Sequence, residues 1–292
     1  MTTDVSSNVA AASTERYAAD WTLGMYLHAE WADLLTPDRE HLPSTPGTPP
    51  GSPGLPAELA RTSTFYQDVA GLVAGWIEQE QLRVRHLCDV GAGTGRTVYE
   101  LAARLRQAPA FTLVEPSRRF AAWSRRLLSG VEPGLQLPVP AGAGAPRTVV
   151  TTGRTTGLAR PVEILTTHAD DVATTGRTFD VVTSLNVLDR VPDPGALVRS
   201  LARLVRPGGL LVVASPLDFE THYTPKDQWV DDIRTLLDGL ECDVLATVDV
   251  PYTFLQHSRR FNWFLSQVVC VRLPASGAVP HARDPQRSRS NS

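Results

Sequence analysis

Leu87-Cys88-Asp89-Val90-Gly91-Ala92-Gly93-Thr94-Gly95-Arg96 is the stretch whose reading decides the fold. A strand-like segment runs from Arg85 into Val90, glycines follow at every second position, and a helical pattern begins at Thr97. A strand that ends in glycines and re-enters as a helix is the opening turn of a βαβ unit. There the missing Cβ permits positive backbone angles and close approach of a ligand. The helix start adds unpaired N–H groups. The spacing is Gly-x-Gly-x-Gly, and Arg96 stands where a dinucleotide fingerprint needs glycine or alanine. Asp89 just before the first glycine is a second departure from that fingerprint. Gly91, Ala92, Gly93 and Gly95 are therefore candidate ligand-loop positions, with Asp89 as their acidic neighbour.

Outward from this turn the pattern repeats. Strands are expected at Arg85–Val90, Phe111–Glu115, Val162–Thr166, Phe179–Leu185, Gly209–Ser215, Cys242–Val250 and Ser266–Leu273. Helices are expected at Thr97–Gln107, Ser117–Leu128, Pro194–Val205 and Gln228–Leu240. Such alternation is the mark of an α/β fold, a mostly parallel sheet with helices on both faces. Right-handed crossovers then bring every strand-to-helix turn to one edge, where ligands bind. Residues 1–83 read as an N-terminal helical extension, with helical spacing over Tyr17–Leu35 and Ala57–Gln81. Between them, Pro43–Pro56 is a proline- and glycine-rich loop. The main domain spans 84–273. Glu132–Pro161 interrupts it as a surface insertion whose Thr-Val-Val-Thr-Thr core can form a short hairpin, and 274–292 read as a disordered tail.

Composition bounds the function. With 292 residues, 42% of them apolar, the chain can bury a sizeable core. A net charge of -3 supplies no basic field, which argues against nucleic-acid partners. No apolar run nears the roughly 20 residues of a membrane span, and no signal core opens the chain. Cys88, Cys242 and Cys270 lie in apolar runs without ligand spacing, and read as buried thiols in a reducing cytoplasm. The seven histidines (His28, His41, His86, His168, His222, His257, His281) are dispersed, so no metal is expected.

Two further acidic positions fall at successive strand ends. Glu115, followed by Pro116, closes the second strand where a carboxylate can take a ribose diol. His168-Ala169-Asp170-Asp171 follows the third strand, placed to meet an adenine ring. Together with DVGAGTG these segments resemble the class I S-adenosylmethionine-dependent methyltransferases. That resemblance implies a Rossmann-like, seven-stranded sheet whose last strand is antiparallel. It also implies that Asp89 and the glycines sit around the amino-acid end of the donor, that Glu115 holds the ribose, and that Ala169 and Asp170 meet the adenine.

The segment beyond the fourth strand, Asn186-Val187-Leu188-Asp189-Arg190, is where such enzymes meet their acceptors. It combines with Ser215-Pro216, Thr224-Pro225-Lys226-Asp227-Gln228-Trp229, Val250-Pro251-Tyr252 and Arg259-Arg260-Phe261. This set resembles the methyltransferase domain of ovothiol synthesis, which methylates an imidazole nitrogen of 5-thiohistidine. A narrower likeness is to protein-histidine methyltransferases of the DREV type. The implied function is imidazole N-methylation of a thiohistidine-type small molecule or its selenium analogue. A peptide or protein histidine, or another natural-product acceptor, is the alternative. Asn186 and Asp189 are then the catalytic candidates, with Asn186 also touching the donor. Tyr223, Trp229, Tyr252, Phe254 and Tyr26 are candidate walls of the acceptor site, and Arg259 or Arg260 a carboxylate fork. The first helix, carrying Tyr17, Tyr26 and His28, is expected to act as a lid.

Overall fold

The computed structural model describes residues 20–35, 63–140, 146–160, 162–257 and 260–275. The glycine turn forms as its sequence demands. Strand β1 (His86–Val90) ends at Gly91, and helix α3 (Arg96–Arg104) starts from Gly95 in the left-handed region. Around it stand α1 (Asp20–Leu35), α2 (Phe65–Gln79), β2 (Ala110–Val114), α4 (Arg118–Leu128), β3 (Gln136–Pro140), β4 (Pro146–Val150), β5 (Val162–Leu165) and α5 (Ala169–Thr174). They are followed by β6 (Phe179–Leu185), α6 (Pro194–Leu204), β7 (Val205–Ser215), α7 (Arg234–Leu237), β8 (Asp243–His257) and β9 (Arg260–Arg272).

The main sheet has the order β5-β2-β1-β6-β7-β9-β8. β5, β2, β1, β6 and β7 are parallel, whereas β9 runs antiparallel to both β7 and β8. This is the expected Rossmann-like α/β architecture. Successive residues feed opposite layers, as the two-residue period of a strand requires. Leu87, Val181 and Leu210 join a core with α1–α4, and Cys88, Val182 and Leu211 join a core with α5–α7. Register aligns Asp89 with both Leu113 and Thr183, so the carboxyl ends of the central strands finish level.

Helix ends follow local chemistry. Ser117 accepts from the Phe120 N–H at the start of α4, and Asp193 accepts from the Ala196 N–H (2.7 Å) ahead of Pro194 in α6. In α1, Leu23, Leu27, Trp31 and Leu35 recur every fourth residue and are 0–2% exposed, a stripe facing the core.

Four expectations need correction. The Glu132–Pro161 insertion forms a hairpin of β3 and β4 that includes the expected Thr-Val-Val segment, but it does not lie on the surface throughout, because Leu137, Val139 and Val149 are buried beside α1. Beyond it, the Thr152 and Gly153 N–H groups donate to Leu35 O (3.1 and 3.0 Å) and close the C-terminus of α1. A helix over Gln228–Leu240 gives way to a 3-10 turn at Lys226–Gln228 and the single turn of α7. Asp232 captures both the N–H and the guanidinium of Arg234, a local bond set that competes with the helical ladder. Cys242 is half-buried rather than fully buried. Finally, β8 and β9 are longer than their apolar cores predict. β7 pairs with β9 only from Gln267 to Arg272, so the outer half of the hairpin projects past Ser215 as a two-stranded arm. The loop 43–56, the tail from 276, Tyr17, and the side chains of His257 and Arg259 lie outside the described residues. Among those described, no helix is long and apolar enough to cross a membrane.

Candidate active site

A cleft of about 320 Å³ opens where β1, β2 and β6 end. Its floor is the glycine loop. Gly91 (φ +69°) faces Val187, and a Cβ there would lie 2.4 Å from Val187 Cγ2. Gly93 (φ +55°) faces Glu30, and a Cβ would lie 2.7 Å from Glu30 Oε1. Glycine at both positions is thus dictated by backbone angle and by a close neighbour.

Four buried carboxylates line this cleft. Asp89 accepts from Thr183 Oγ1 (2.6 Å) through Oδ1, and its Oδ2 has no partner. Burial pushes it up to about 7. Glu115 accepts from the Ser117 N–H (2.8 Å) and the Gly93 N–H (3.0 Å), and burial pushes it up to about 7. Asp189, 1% exposed, accepts from Ser215 Oγ (3.1 Å). Its Oδ2 has no hydrogen bond and faces Arg190 Nη1 at 3.4 Å. Burial raises its pKa, with Arg190 opposing. Glu30, on α1, accepts from the Thr94 N–H (3.1 Å) and Thr94 Oγ1 (2.5 Å), and burial pushes it up to about 8.

Asn186 stands between these groups at φ +57°, a conformation asparagine tolerates. Its N–H donates to Ala214 O (2.8 Å) and its Oδ1 accepts from Ser266 Oγ (3.0 Å). The amide is thereby oriented, and Nδ2 is left buried without a partner. The cleft therefore carries a donor atom at Asn186 Nδ2 and acceptor atoms at Asp89 Oδ2 and Asp189 Oδ2 that make no hydrogen bond, the last with only the Arg190 ion pair beside it. Such groups are costly unless a ligand completes them.

The aromatic wall comes from two distant parts of the chain. Tyr26 of α1 meets Phe120 and Phe254 edge-on at 5.2 and 5.3 Å. Tyr252, Phe254 and Phe264 extend the wall along the β8–β9 arm.

Of the positions named from sequence, Asp89, Gly91, Ala92, Gly93, Glu115, Pro116, Ala169, Asn186, Asp189, Tyr26, Tyr252 and Phe254 line the cleft. Others lie elsewhere. Gly95 packs beneath it against Leu128 and Leu113, starting α3. Asp170 turns away to α6, where it accepts from Ser200 Oγ and faces Arg203 at 3.8 Å. Tyr223 is buried under the Arg190 guanidinium (5.3 Å). Trp229 stacks on Phe219 and donates to Thr224 O (2.9 Å), outside the cleft. Arg260 is exposed at the tip of the arm. His28 is off the cleft, with burial lowering its pKa to about 4.

Glu30, Tyr66, Phe120, Gln256, Asn262 and Phe264 line the cleft without having been singled out from sequence. For Glu30 a signal exists, since it lies four residues after Tyr26 and thus on the same helical face. Helix α1 is also bound tightly to the loop it covers. Trp31 Nε1 donates to Thr94 Oγ1 (2.7 Å), and Arg96 makes a fork to Asp33 (2.7 Å twice) while donating to Glu30 O.

The residues present fit an S-adenosylmethionine donor. The two cleft glycines leave backbone open for close contact, Glu115 retains lone pairs beside the loop, and the carboxylates outnumber the cations around a ligand that is itself cationic. Among the described residues no group of three or more His, Cys, Asp or Glu side chains could hold a metal.

Comparison with known proteins agrees. A family model described as a methyltransferase domain matches residues 63–264. The ubiquinone biosynthesis O-methyltransferase of Bordetella bronchiseptica is 30% identical over 137 residues, 46% of this chain and 45% of that protein. The enzyme of the same name from Vibrio parahaemolyticus is 48% identical over 46 residues, 16% of this chain and 20% of that protein. The chain thus spans less than half the length of these curated relatives. Among solved structures, the O-methyltransferase of tomaymycin synthesis from Streptomyces achromogenes, in complex with SAM, aligns with 71% of this chain and 80% of its own. Its TM-score is 0.44 at 16% identity. A SAM-dependent methyltransferase from Aquifex aeolicus aligns with 74% of this chain and 96% of its own, with TM-score 0.46 at 14% identity. With the family model spanning well over half of a chain whose strand ends carry this loop and these acids, the protein belongs to the methyltransferase-domain family.

Proposed function

We propose that this enzyme N-methylates an imidazole, that of a free thiohistidine-type small molecule. The observation that carries the reading is the pair of buried polar atoms three residues apart that make no hydrogen bond, Asn186 Nδ2 and Asp189 Oδ2, the latter beside the Arg190 guanidinium. A neutral imidazole offers one N–H and one lone-pair nitrogen. Asp189 Oδ2 is an acceptor for that N–H, which selects the tautomer and leaves the far nitrogen free to attack. Asn186 Nδ2, held by the Ser266 bond to its Oδ1, is a donor for the acceptor molecule or for the donor's amino-acid end.

When bound, S-adenosylmethionine supplies a methyl carbon already activated by its sulfonium. The protein's work is then positional, holding a nitrogen about 3 Å from that carbon and in line with the breaking C–S bond. A ring held there would take the methyl group on its free nitrogen, the bonding pair of the old C–S bond staying with the donor's sulfur, and would become an imidazolium. Asp189 faces that new positive charge through the N–H it already holds. Arg190 keeps Asp189 ionisable despite its burial, and is itself held by Asp218 and Glu220 (3.6 and 3.5 Å). Tyr26, Tyr252 and Phe254 supply flat apolar surface for a ring and bound the cleft on two sides, which favours a small acceptor.

The test is transfer of labelled methyl from S-adenosylmethionine to free thiohistidine, selenohistidine, histidine, a histidine-bearing peptide and a catechol. Label on the thiohistidine or its selenium analogue supports the reading, whereas label confined to peptide or catechol overturns it. Asp189→Asn is expected to lower kcat about 100-fold with donor affinity unchanged, because it removes the charge opposite the imidazolium. Full turnover in that variant would remove Asp189 from the mechanism.

A further inference from the structure

We propose that Glu30, contributed by helix α1 from outside the sheet, is the carboxylate that receives the α-ammonium of the donor's methionine portion. The inference rests on the donor being S-adenosylmethionine and is independent of which acceptor is methylated.

Glu30 is placed by the glycine loop itself. Consecutive amides of that loop are held by two different carboxylates, Gly93 N–H by Glu115 and Thr94 N–H by Glu30. Thr94 Oγ1 donates to the same Glu30 oxygen, Oε2. Oε1 is left beside Gly93, so close that a Cβ would stand 2.7 Å away. The absence of a side chain at position 93 is therefore what lets this carboxylate reach the floor of the cleft.

The charge around it has no internal answer. Glu30 is 3% exposed, and among the described residues no cationic side chain forms an ion pair with it. The nearest cation, Arg96, gives its fork to Asp33 and its remaining bonds to Glu100 and to the backbone carbonyl of Glu30. Burial raises Glu30 to about 8 and the neighbouring Glu115 adds to the rise, so without a ligand Glu30 holds a proton that an arriving cation displaces. A buried carboxylate placed next to another acid, on a site that takes a cationic ligand, is completed by a positive group arriving with that ligand. The donor brings two such groups. Its sulfonium is a diffuse charge without N–H donors, whereas its ammonium presents three. The position of Oε1, an acceptor oxygen beside Gly93 on a residue that lines the cleft, suits the ammonium.

The thioether product S-adenosylhomocysteine isolates the question because it keeps the amine and lacks the sulfonium. Calorimetry compares it with the counterpart in which the amine is replaced by hydrogen, on wild type, Glu30→Gln and Glu30→Asp. Wild type is expected to bind the deaminated ligand about 10- to 100-fold more weakly, the size of one charge-assisted hydrogen bond. Glu30→Gln is expected to lose a similar factor for S-adenosylhomocysteine yet bind the deaminated ligand within about threefold of wild type. Glu30→Asp, which keeps the charge on a shorter stem, falls between. Equal weakening of both ligands by Glu30→Gln would mean that Glu30 only braces the loop, and would overturn the inference. So would a wild type indifferent to the amine, a measurement that needs no variant to fold. If wild type bound neither thioether, the donor assignment would fall first and this inference with it. Wild-type binding of both with equal affinity would sink this inference alone.

Discussion

Replacing Arg96 with Met separates two pictures of helix α1, a fixed wall of the site and a lid that swings freely. Arg96 is 1% exposed and ties α3 to α1 through its fork to Asp33 and its donation to Glu30 O, with further bonds to Glu100 on its own helix. Methionine keeps the apolar stem and removes every donor. Glu100 retains Arg104, and Asp33, with its side chain 24% exposed, is partly rehydrated and still accepts from Gln67 Nε2 (2.7 Å). Glu30 O, deep in the cleft wall, is left without the guanidinium. Glu30 O keeps its bond within the helix, so what is lost there is one hydrogen bond from a charged donor, about 1.5–3 kcal/mol, and a half-broken ion pair adds about 1 kcal/mol. The expected loss is thus about 2.5–4 kcal/mol, below the roughly 3–5 kcal/mol of a fully buried pair. At about 2–4 °C per kcal/mol for a chain of this size, Tm falls by about 5–15 °C. Calorimetry reads the melting point, and amide hydrogen exchange reads whether α1 opens ahead of the sheet. A shift under about 2 °C, with α1 protection unchanged, would refute the reasoning and restore the lid.

Gly93→Ala places a Cβ at φ +55° and 2.7 Å from Glu30 Oε1, so donor affinity is expected to fall about tenfold in a binding titration. Gly71→Ala on α2, where nothing lies within 4 Å, is the contrasting change and should add about 0.5–1 kcal/mol of stability by denaturant titration. The ligand-free enzyme should also lose stability as pH rises from about 6.5 to 8.5. Glu30 (about 8), Asp89 and Glu115 (both about 7) hold protons in the folded state that the unfolded chain has already released. Their stabilisation is complete below the unfolded carboxylate range and is lost as pH passes through 7 to 8. His28, lowered to about 4, acts with the opposite sign and only below about 6.5. Glu30 is faced by Glu115, Arg96, Tyr66, Tyr252 and Tyr26, and with a ceiling of about 5 kcal/mol it dominates. Glu30→Gln should flatten the melting profile in this window, and a profile rising with pH would contradict it.

The parallel sheet was legible because its strands are apolar on both faces and each ends in a turn with its own chemistry. Val90 runs into glycines, Val114 into an acid, and Asp193-Pro194 caps the helix after β6. The same logic brought Asp89, Glu115 and Asn186 to one edge, since in a parallel sheet strand ends are neighbours whatever their separation in sequence. It failed at Asp170, which sits at the right strand end. Ser200 and Arg203 of α6 offer it partners there, and a helix-start side chain turns to whichever side satisfies it.

What sequence periodicity does not carry is the other half of the cleft. The β8–β9 arm mixes Pro251, Tyr252, Thr253 and Phe254 with Asn262 and Phe264, so no clean alternation marks it as strand. It is held there by pairing across the hairpin out to His257 and Arg260. Glu30 is hard to read for a different reason, because its spacing from Tyr26 gives its helical face but not its partner Thr94, which lies 64 positions away. The donor side of the cleft is thus written at strand ends, where fold topology makes it readable, whereas its cover is built from a helix, an inserted hairpin and a strand extension. Those three pieces meet one another on the page only after folding. The β3–β4 hairpin and the Thr152 and Gly153 amides fix the far end of α1, Arg96 and Trp31 fix its middle, and Tyr26 touches the arm at Phe254. The position of α1 over the cleft therefore rests on these three attachments, and β3 and β4 support that wall although none of their residues lines the cleft.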